Sequence, residues 1–243
     1  MKIPFRVDLH IHTGLSPCAD AGMVPTAIIE KAKEQKLDGI GICDHNSAEN
    51  VVAVRKAGAR AGVQVLGGME ITSREEVHVM GFFQEHAALF DMQEIVYENL
   101  PGKNDQSVFG EQIVVDEHDR IVGASDRLLI GATDLSVDQI VASIHRLGGV
   151  AIASHIDRES FGIIGQLGFV PPELPLDALE LSSRCRSSEA VDYWKYGLPL
   201  VTFSDAHYPS DMGGACTTFV LDTPSVAEVV RTLRGRRGRK KRI

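Results

Sequence analysis

The chain has 243 residues, 44% of them hydrophobic and 24% charged, which is enough to bury a large core and excludes a fibrous or membrane-embedded protein. Its formal charge of −8 conceals seven basic residues at the extreme C-terminus, Arg234, Arg236, Arg237, Arg239, Lys240, Lys241 and Arg242; without them 18 Lys+Arg face 33 Asp+Glu, and a body of −15 repels nucleic acid and phosphorylated ligands unless bound cations offset it. The four cysteines form no C-x-x-C pair, no N-terminal stretch reads as a signal peptide and no run is apolar enough to cross a bilayer, so a cytoplasmic protein with reduced thiols and no membrane contact is expected.

Val7-Asp8-Leu9-His10-Ile11-His12-Thr13 opens the chain as a strand, whose two-residue period puts Asp8, His10 and His12 on one face and Val7, Leu9 and Ile11 on the other. After a loop, Pro25 starts a helix that should end near Lys36, and Gly39-Ile40-Gly41-Ile42-Cys43 is a short strand running into Asp44-His45-Asn46. Residues 48–61 read as a helix and 63–69 as a third strand closing on Glu70, a βαβαβ rhythm that argues for parallel strands with crossover helices. A β-rich stretch over 77–83 and a helix over 87–99 follow. The rhythm then breaks at 100–134, where Ile113-Val114-Val115 and Arg120-Ile121-Val122 flank a polar tip and predict a hairpin inserted on the edge of the fold, either a lid or a subunit contact.

The repeat resumes with a helix over 136–147, the strand Val150-Ala151-Ile152-Ala153-Ser154 ending on His155, a short helix over 160–167 and the strand Ala178-Leu179-Glu180-Leu181. A helix over 189–196 precedes Leu200-Val201-Thr202-Phe203-Ser204, which ends on Asp205-Ala206-His207; a strand over 216–221 and a helix over 225–233 complete the pattern. Roughly seven strand-helix units predict an α/β fold closed or nearly closed into a β/α barrel, with a doubly wound open sheet as the competing arrangement.

The polar residues fall in one kind of place. His12, His45, Glu70, His155, Asp205 and His207 each lie at or just past the C-terminal end of a predicted strand, the face on which β/α barrels build their sites. Imidazoles mixed with carboxylates suit zinc, manganese or iron, and the face offers more than the four ligands of one structural ion, which predicts two or three ions with open positions.

The motifs Asp8-Leu9-His10-Ile11-His12-Thr13, Cys43-Asp44-His45-Asn46, Gly68-Met69-Glu70, Val77-His78-Val79-Met80-Gly81, Ser154-His155 and Ser204-Asp205-Ala206-His207 occur in the order used by the polymerase-and-histidinol-phosphatase, or PHP, family, which this sequence resembles from residue 8 to residue 207. The resemblance implies a distorted seven-stranded (β/α)7 barrel, three divalent ions and phosphoesterase chemistry. It assigns His10, His12, Glu70 and Asp205 to a first ion, Glu70 with His78 and His155 to a second, and His45 with His207 to a third. Where the family supplies the third ion with another His or Asp after the H-x-H pair, this chain offers Cys18 or, two residues on, Asp20; a thiolate favours zinc, the carboxylate manganese or iron.

The implied reaction is hydrolysis of a phosphate ester by a metal-activated hydroxide. Two ions roughly 3.5 to 4 Å apart clamp a phosphate oxygen and bring a bound water's pKa from about 15.7 towards ~7. Glu70, Asp205 and His155 are the expected catalytic core, Arg158 and Arg184 are candidates for the non-bridging phosphate oxygens, and Asp8 and Asp44 for orienting ligand imidazoles. The expected substrate is a small phosphomonoester, a nucleotide or a nucleic acid, and no residue distinguishes a monoesterase from a nuclease or nucleotide phosphatase. A single domain over 1–233 is expected, followed by a disordered basic tail over 234–243 that could hold nucleic acid. The competing functions are an amidohydrolase-type hydrolase, which also opens with His-x-His but commonly bridges its ions with a modified lysine, and a non-catalytic metal-binding module.

Overall fold

The computed structural model describes residues 2–235, and the expected basic tail beyond Gly235 lies outside the described residues. Ten strands and eight helices follow one another as β1 (Ile3–Ile11), α1 (Pro25–Glu34), β2 (Gly39–Ile42), α2 (Val51–Ala61), β3 (Gln64–Thr72), β4 (His78–Phe83), α3 (His86–Glu98), α4 (Gln106–Phe109), β5 (Ile113–Val115), β6 (Ile121–Ala124), α5 (Val137–Arg146), β7 (Val150–Ala153), α6 (Ile163–Leu167), β8 (Ala178–Leu181), α7 (Ser187–Ala190), β9 (Leu200–Thr202), β10 (Thr217–Leu221) and α8 (Val226–Gly235), with a 3-10 segment Val191–Tyr196 before β9. Sequence cues set several of these boundaries. Pro25 sits in the first turn of α1, and Ser136 caps α5 through a reciprocal box with Gln139.

Eight strands form one sheet in the order β10-β1-β2-β3-β4-β7-β8-β9. The chain after β9 returns to β1, where His12 N donates to Ala206 O and Ala206 N to His10 O, each at 3.0 Å, so that a ring of seven strands nearly closes at the end that carries the ligand candidates. β10 is the eighth strand, laid antiparallel along the first half of β1. The expected barrel is therefore present with one strand more than seven. The expectation of parallel strands needs a second correction: β4 runs antiparallel to both β3 and β7. The turn over 73–77 is too short for a crossover, and a tight connection joins only antiparallel neighbours.

Two buried layers follow from the alternation along the strands. Val7, Leu9, Leu66, Met80, Phe82, Val150, Ile152, Ala178 and Val201 pack with Val229, Val230 and Leu233 of α8, whereas Ile11, Ile40, Ile42, Met69, Ile71, Val79, Ala153 and Leu179 pack under the other helices. Leu9 and Ile11 thus belong to different layers. A register shift between Asp8 and Ile11 lies in β1 where it pairs with β2, and it breaks the strict two-residue period expected there. Asp8 meets the His10 backbone N at 3.5 Å through its carboxylate but touches neither imidazole. Its carboxylate accepts from Ser204 N at 3.0 Å and Gly213 N at 2.9 Å, tying β1 to the β9–β10 connection.

The insertion contains the expected hairpin, β5 and β6, and buried amides fasten it down. Asn50 Nδ2 donates to Ile113 O at 3.1 Å and its Oδ1 accepts from Val115 N at 2.9 Å. Asn46 Nδ2 donates to Leu129 O and Gly131 O, both at 2.8 Å, while its Oδ1 accepts from Thr72 N at 3.0 Å. These bonds make residues 113–131 a fixed wall beside the ends of β1, β2 and β3. No described helix is long and apolar enough to cross a membrane.

Candidate metal centre

Glu70, at the end of β3, is the middle of the site and only 1% exposed. Its Oε1 lies 3.3 Å from His10 Nε2, 3.1 Å from His78 Nδ1 and 3.3 Å from His155 Nε2; its Oε2 lies 3.2 Å from His45 Nδ1 and 3.6 Å from His12 Nε2. Asp205 closes the opposite side, with Oδ1 3.2 Å from His10 Nε2 and 3.3 Å from His12 Nε2. His207 stacks on His12, ring centroids 4.2 Å apart. Among the described residues three candidate ligand sets result: His10 with His12, Glu70 and Asp205; His45 with Glu70 and His78; and His12 with His45 and His207.

The backbone is bent to aim these groups. Asn46, His155 and Asp205 all have positive φ, at 51°, 27° and 53°, and each follows a strand end. Left-handed backbone costs an L residue about 1–2 kcal/mol, so these turns are retained against a local preference.

Hydrogen bonding fixes which ring nitrogen faces inward. His10 Nδ1 donates to Glu180, 2.9 Å from Oε1 and 3.1 Å from Oε2, which turns Nε2 toward Glu70 and Asp205. His12 Nδ1 donates to Ser16 Oγ at 3.0 Å; that hydroxyl donates in turn to Asp44 Oδ1 at 2.7 Å and accepts from His45 N at 3.1 Å. His207 Nδ1 donates to Asp205 O at 2.9 Å. Asp44 therefore orients an imidazole through Ser16, as expected in kind, whereas Asp8 touches none.

The electrostatics suit cation binding. Burial, reinforced by the neighbouring His207, lowers the His12 pKa to about 4, and burial with His12 nearby holds His45 well below the usual range, so both rings are neutral at pH 7 and free to donate lone pairs. Burial opposes ionisation of Glu70 and Asp205, but His78 and His10 outweigh it at Glu70, as His10 and His12 do at Asp205, and both remain carboxylates. His10 is the exception: burial disfavours its charged ring, yet Glu180, Asp205 and Glu70 together hold its pKa well above the usual value, so a cation at Nε2 would take the place of a proton.

The donor set fits a divalent ion on a direct observation. His10 Nε2, His12 Nε2, His45 Nδ1, His78 Nδ1 and Glu70 Oε1 are buried without a hydrogen-bond partner although they crowd together. Leaving one such atom unmatched costs about 1–3 kcal/mol, and a cation among them satisfies them jointly. The clusters support divalent metal binding.

Of the residues singled out from sequence, His10, His12, His45, Glu70, His78, His155, Asp205 and His207 converge. Arg158 reaches the site, its Nη1 2.7 Å from Asp205 Oδ2. Arg184 is exposed on the loop after β8, its backbone N donating to Ser182 Oγ at 3.3 Å. Cys18 and Asp20 join none of the three ligand sets. Cys18 is exposed, and the Asp20 carboxylate accepts from Gly22 N at 2.8 Å at the surface. Sequence reading missed Glu180 and Ser16. The signal for Glu180 was an acid inside the apolar strand β8; Ser16 carried none beyond its loop position.

A nearly closed barrel whose strand ends gather imidazoles around a buried carboxylate defines a metal-binding β/α-barrel protein. The model of the PHP domain matches residues 8–162 and that of the PHP-associated region residues 193–237, and the chain belongs to the PHP domain family. It is 29% identical over 86 residues to the phosphoribosyl 1,2-cyclic phosphate 1,2-diphosphodiesterase of Eggerthella lenta, covering 33% of this chain and 32% of that one. It is 30% identical over 79 residues to the 3',5'-nucleoside bisphosphate phosphatase of Chromobacterium violaceum, covering 31% of this chain and 27% of that one. The match thus spans about a third or less of these relatives. In structure the chain resembles the lesion-specific endonuclease of Pyrococcus furiosus, with a TM-score of 0.71 and 18% identity over 98% of this chain and 57% of that one, a likeness of fold.

Proposed function

We propose that the protein is a metal-dependent phosphoric ester hydrolase acting on a phosphorylated small molecule or a nucleotide. The observation that carries this reading is Glu70, whose two oxygens face different imidazole sets and so can bridge two ions. Family membership and relatives named as a cyclic phosphodiesterase and a bisphosphate phosphatase support it.

His10, His12, Glu70 and Asp205 would hold one ion, Glu70 with His78 and His155 a second, and His45 with His207 a third, with zinc, manganese or iron as the suited metals. Bound divalent ions supply hydroxide at neutral pH and positive charge against a phosphate. The chain's own residues do the rest. Glu180 and Ser16 keep the His10 and His12 lone pairs inward, and Arg158, 35% exposed on its side chain, can share its guanidinium between Asp205 and a phosphate oxygen. Arg184, exposed on the loop after β8, is a second candidate for the same role. An amidohydrolase reading stays behind this one, because a glutamate holds the bridging position that a modified lysine commonly takes there.

Turnover of p-nitrophenyl phosphate, bis(p-nitrophenyl) phosphate and a p-nitroanilide amide, measured side by side with metal content, tests the reading. Hydrolysis of a phosphate ester that disappears with chelator is expected; hydrolysis of the amide alone would overturn it.

A further inference from the structure

The mouth of the metal centre carries an aromatic ring that the proposed chemistry does not use. Phe161 lies in the loop after β7, and its ring stacks on the His78 imidazole with centroids 4.5 Å apart and planes 18° apart. Phe161 is 39% exposed, whereas His78 beneath it is 6% exposed. One face of the phenyl ring is covered by the imidazole and the remainder meets solvent at the mouth.

The ring is held there against local preference. Phe161 has φ 61°, a left-handed conformation that bulky L residues rarely adopt and glycine adopts freely. Core packing does not explain an exposed ring at a strained position. The loop also holds the ring in place. His78 N donates to Phe161 O at 2.9 Å, Ile156 N donates to Glu180 O at 2.9 Å, and the Asp157 carboxylate accepts from Ser182 N and Ser182 Oγ, both at 2.6 Å. A Cβ at Gly162 would lie 2.4 Å from Arg158 O, so the loop closes on itself only with glycine there. Arg158, on the same loop, has its guanidinium on Asp205.

One fixed loop therefore presents a cation and a flat apolar surface beside the metal ligands. We propose that Phe161 determines specificity by stacking its open face on the base of a nucleotide-type phosphoester whose phosphate lies at the metal centre beside Arg158. The proposal rests on the phosphoesterase reading of the same site and adds the substrate class to it. A pre-positioned ring binds a base with little ordering cost, and it gains affinity without adding charge, which suits an acidic body.

The test is calorimetric binding to the manganese-loaded full chain of adenosine 5'-monophosphate and of ribose 5-phosphate, which differ by the base. The wild type is expected to prefer the nucleotide. Phe161→Leu and Phe161→Gly should weaken nucleotide binding roughly 5- to 30-fold and leave ribose 5-phosphate unchanged. Phe161→Gly should also melt no lower than the wild type, since it relieves the left-handed strain. Equal affinity of the wild type for the two ligands, no binding of either, or an equal loss for both in Phe161→Leu would overturn the proposal. Base discrimination without hydrolysis of any phosphate ester would instead sink the phosphoesterase reading and leave the stacking role standing.

Discussion

Glu180 Oε1 lies 2.9 Å from His10 Nδ1, and the far nitrogen of the same ring lies 3.3 Å from Glu70 Oε1, so a carboxylate 1% exposed supports the central ligand from behind. A carboxylate behind a ligating imidazole fixes its tautomer and raises its basicity, and losing it typically costs about 10–100-fold in metal affinity. Glu180→Leu is therefore expected to weaken manganese binding by about that factor, read by competition with a fluorescent chelator. Glu180→Gln, whose amide oxygen still accepts from Nδ1, should lose less. Unchanged affinity in Glu180→Leu would show that its bond to His10 does not tune metal binding and leave it only the bond from His155 N at 2.8 Å.

Asn46 couples the wall of the insertion to the site. Its amide serves two carbonyls and one backbone N–H, and its own N donates to Glu70 O at 2.8 Å. Asn46→Ala strands these buried groups at about 1–3 kcal/mol each and keeps the left-handed backbone. A loss of about 3–5 kcal/mol in urea unfolding is expected, with Asn46→Gly less destabilised because glycine accepts φ 51°. Equal stability of Asn46→Ala and wild type would show that the wall is held by other contacts.

Arg158 is partly exposed, so its pair with Asp205 is screened and contributes below about 1 kcal/mol to folding. Its weight falls on substrate. Arg158→Ala should lower kcat/KM for a phosphate ester on the order of tenfold or more, with Arg158→Lys recovering part of it as a point charge without the planar fork. Steady-state kinetics on both variants check this. Wild-type kcat/KM in Arg158→Ala would remove the guanidinium from the site.

Most of the candidate ligands were legible because they stand where a strand ends, as in the run Gly39-Ile40-Gly41-Ile42 followed by Asp44-His45, whereas His10 lies inside β1 and His78 at the start of β4. The barrel was legible for the same reason, since its rhythm is local. What escaped the sequence depends on distance. The antiparallel β4 is a local exception, set by a short turn over 73–77, whereas β10 returns to β1 from more than two hundred residues away. Glu180 reads as an oddity in an apolar strand until β8 is set beside β1. Cys18 and Asp20 matched a family spacing after His12, yet the loop carries Ser16, not either of them, to the His12 ring. A spacing fixes how far a loop can reach, whereas its own turns fix which side chain points inward.

The proposed hydrolysis depends on Glu70 bridging divalent ions. Metal stoichiometry by plasma mass spectrometry, taken together with hydrolysis of bis(p-nitrophenyl) phosphate, on wild type and Glu70→Gln tests it most directly. Glu70→Gln is expected to keep the wild-type circular dichroism spectrum, to lose at least one ion per chain and to lose turnover by at least about a thousandfold. A Glu70→Gln protein that retains full metal content and full turnover would contradict it.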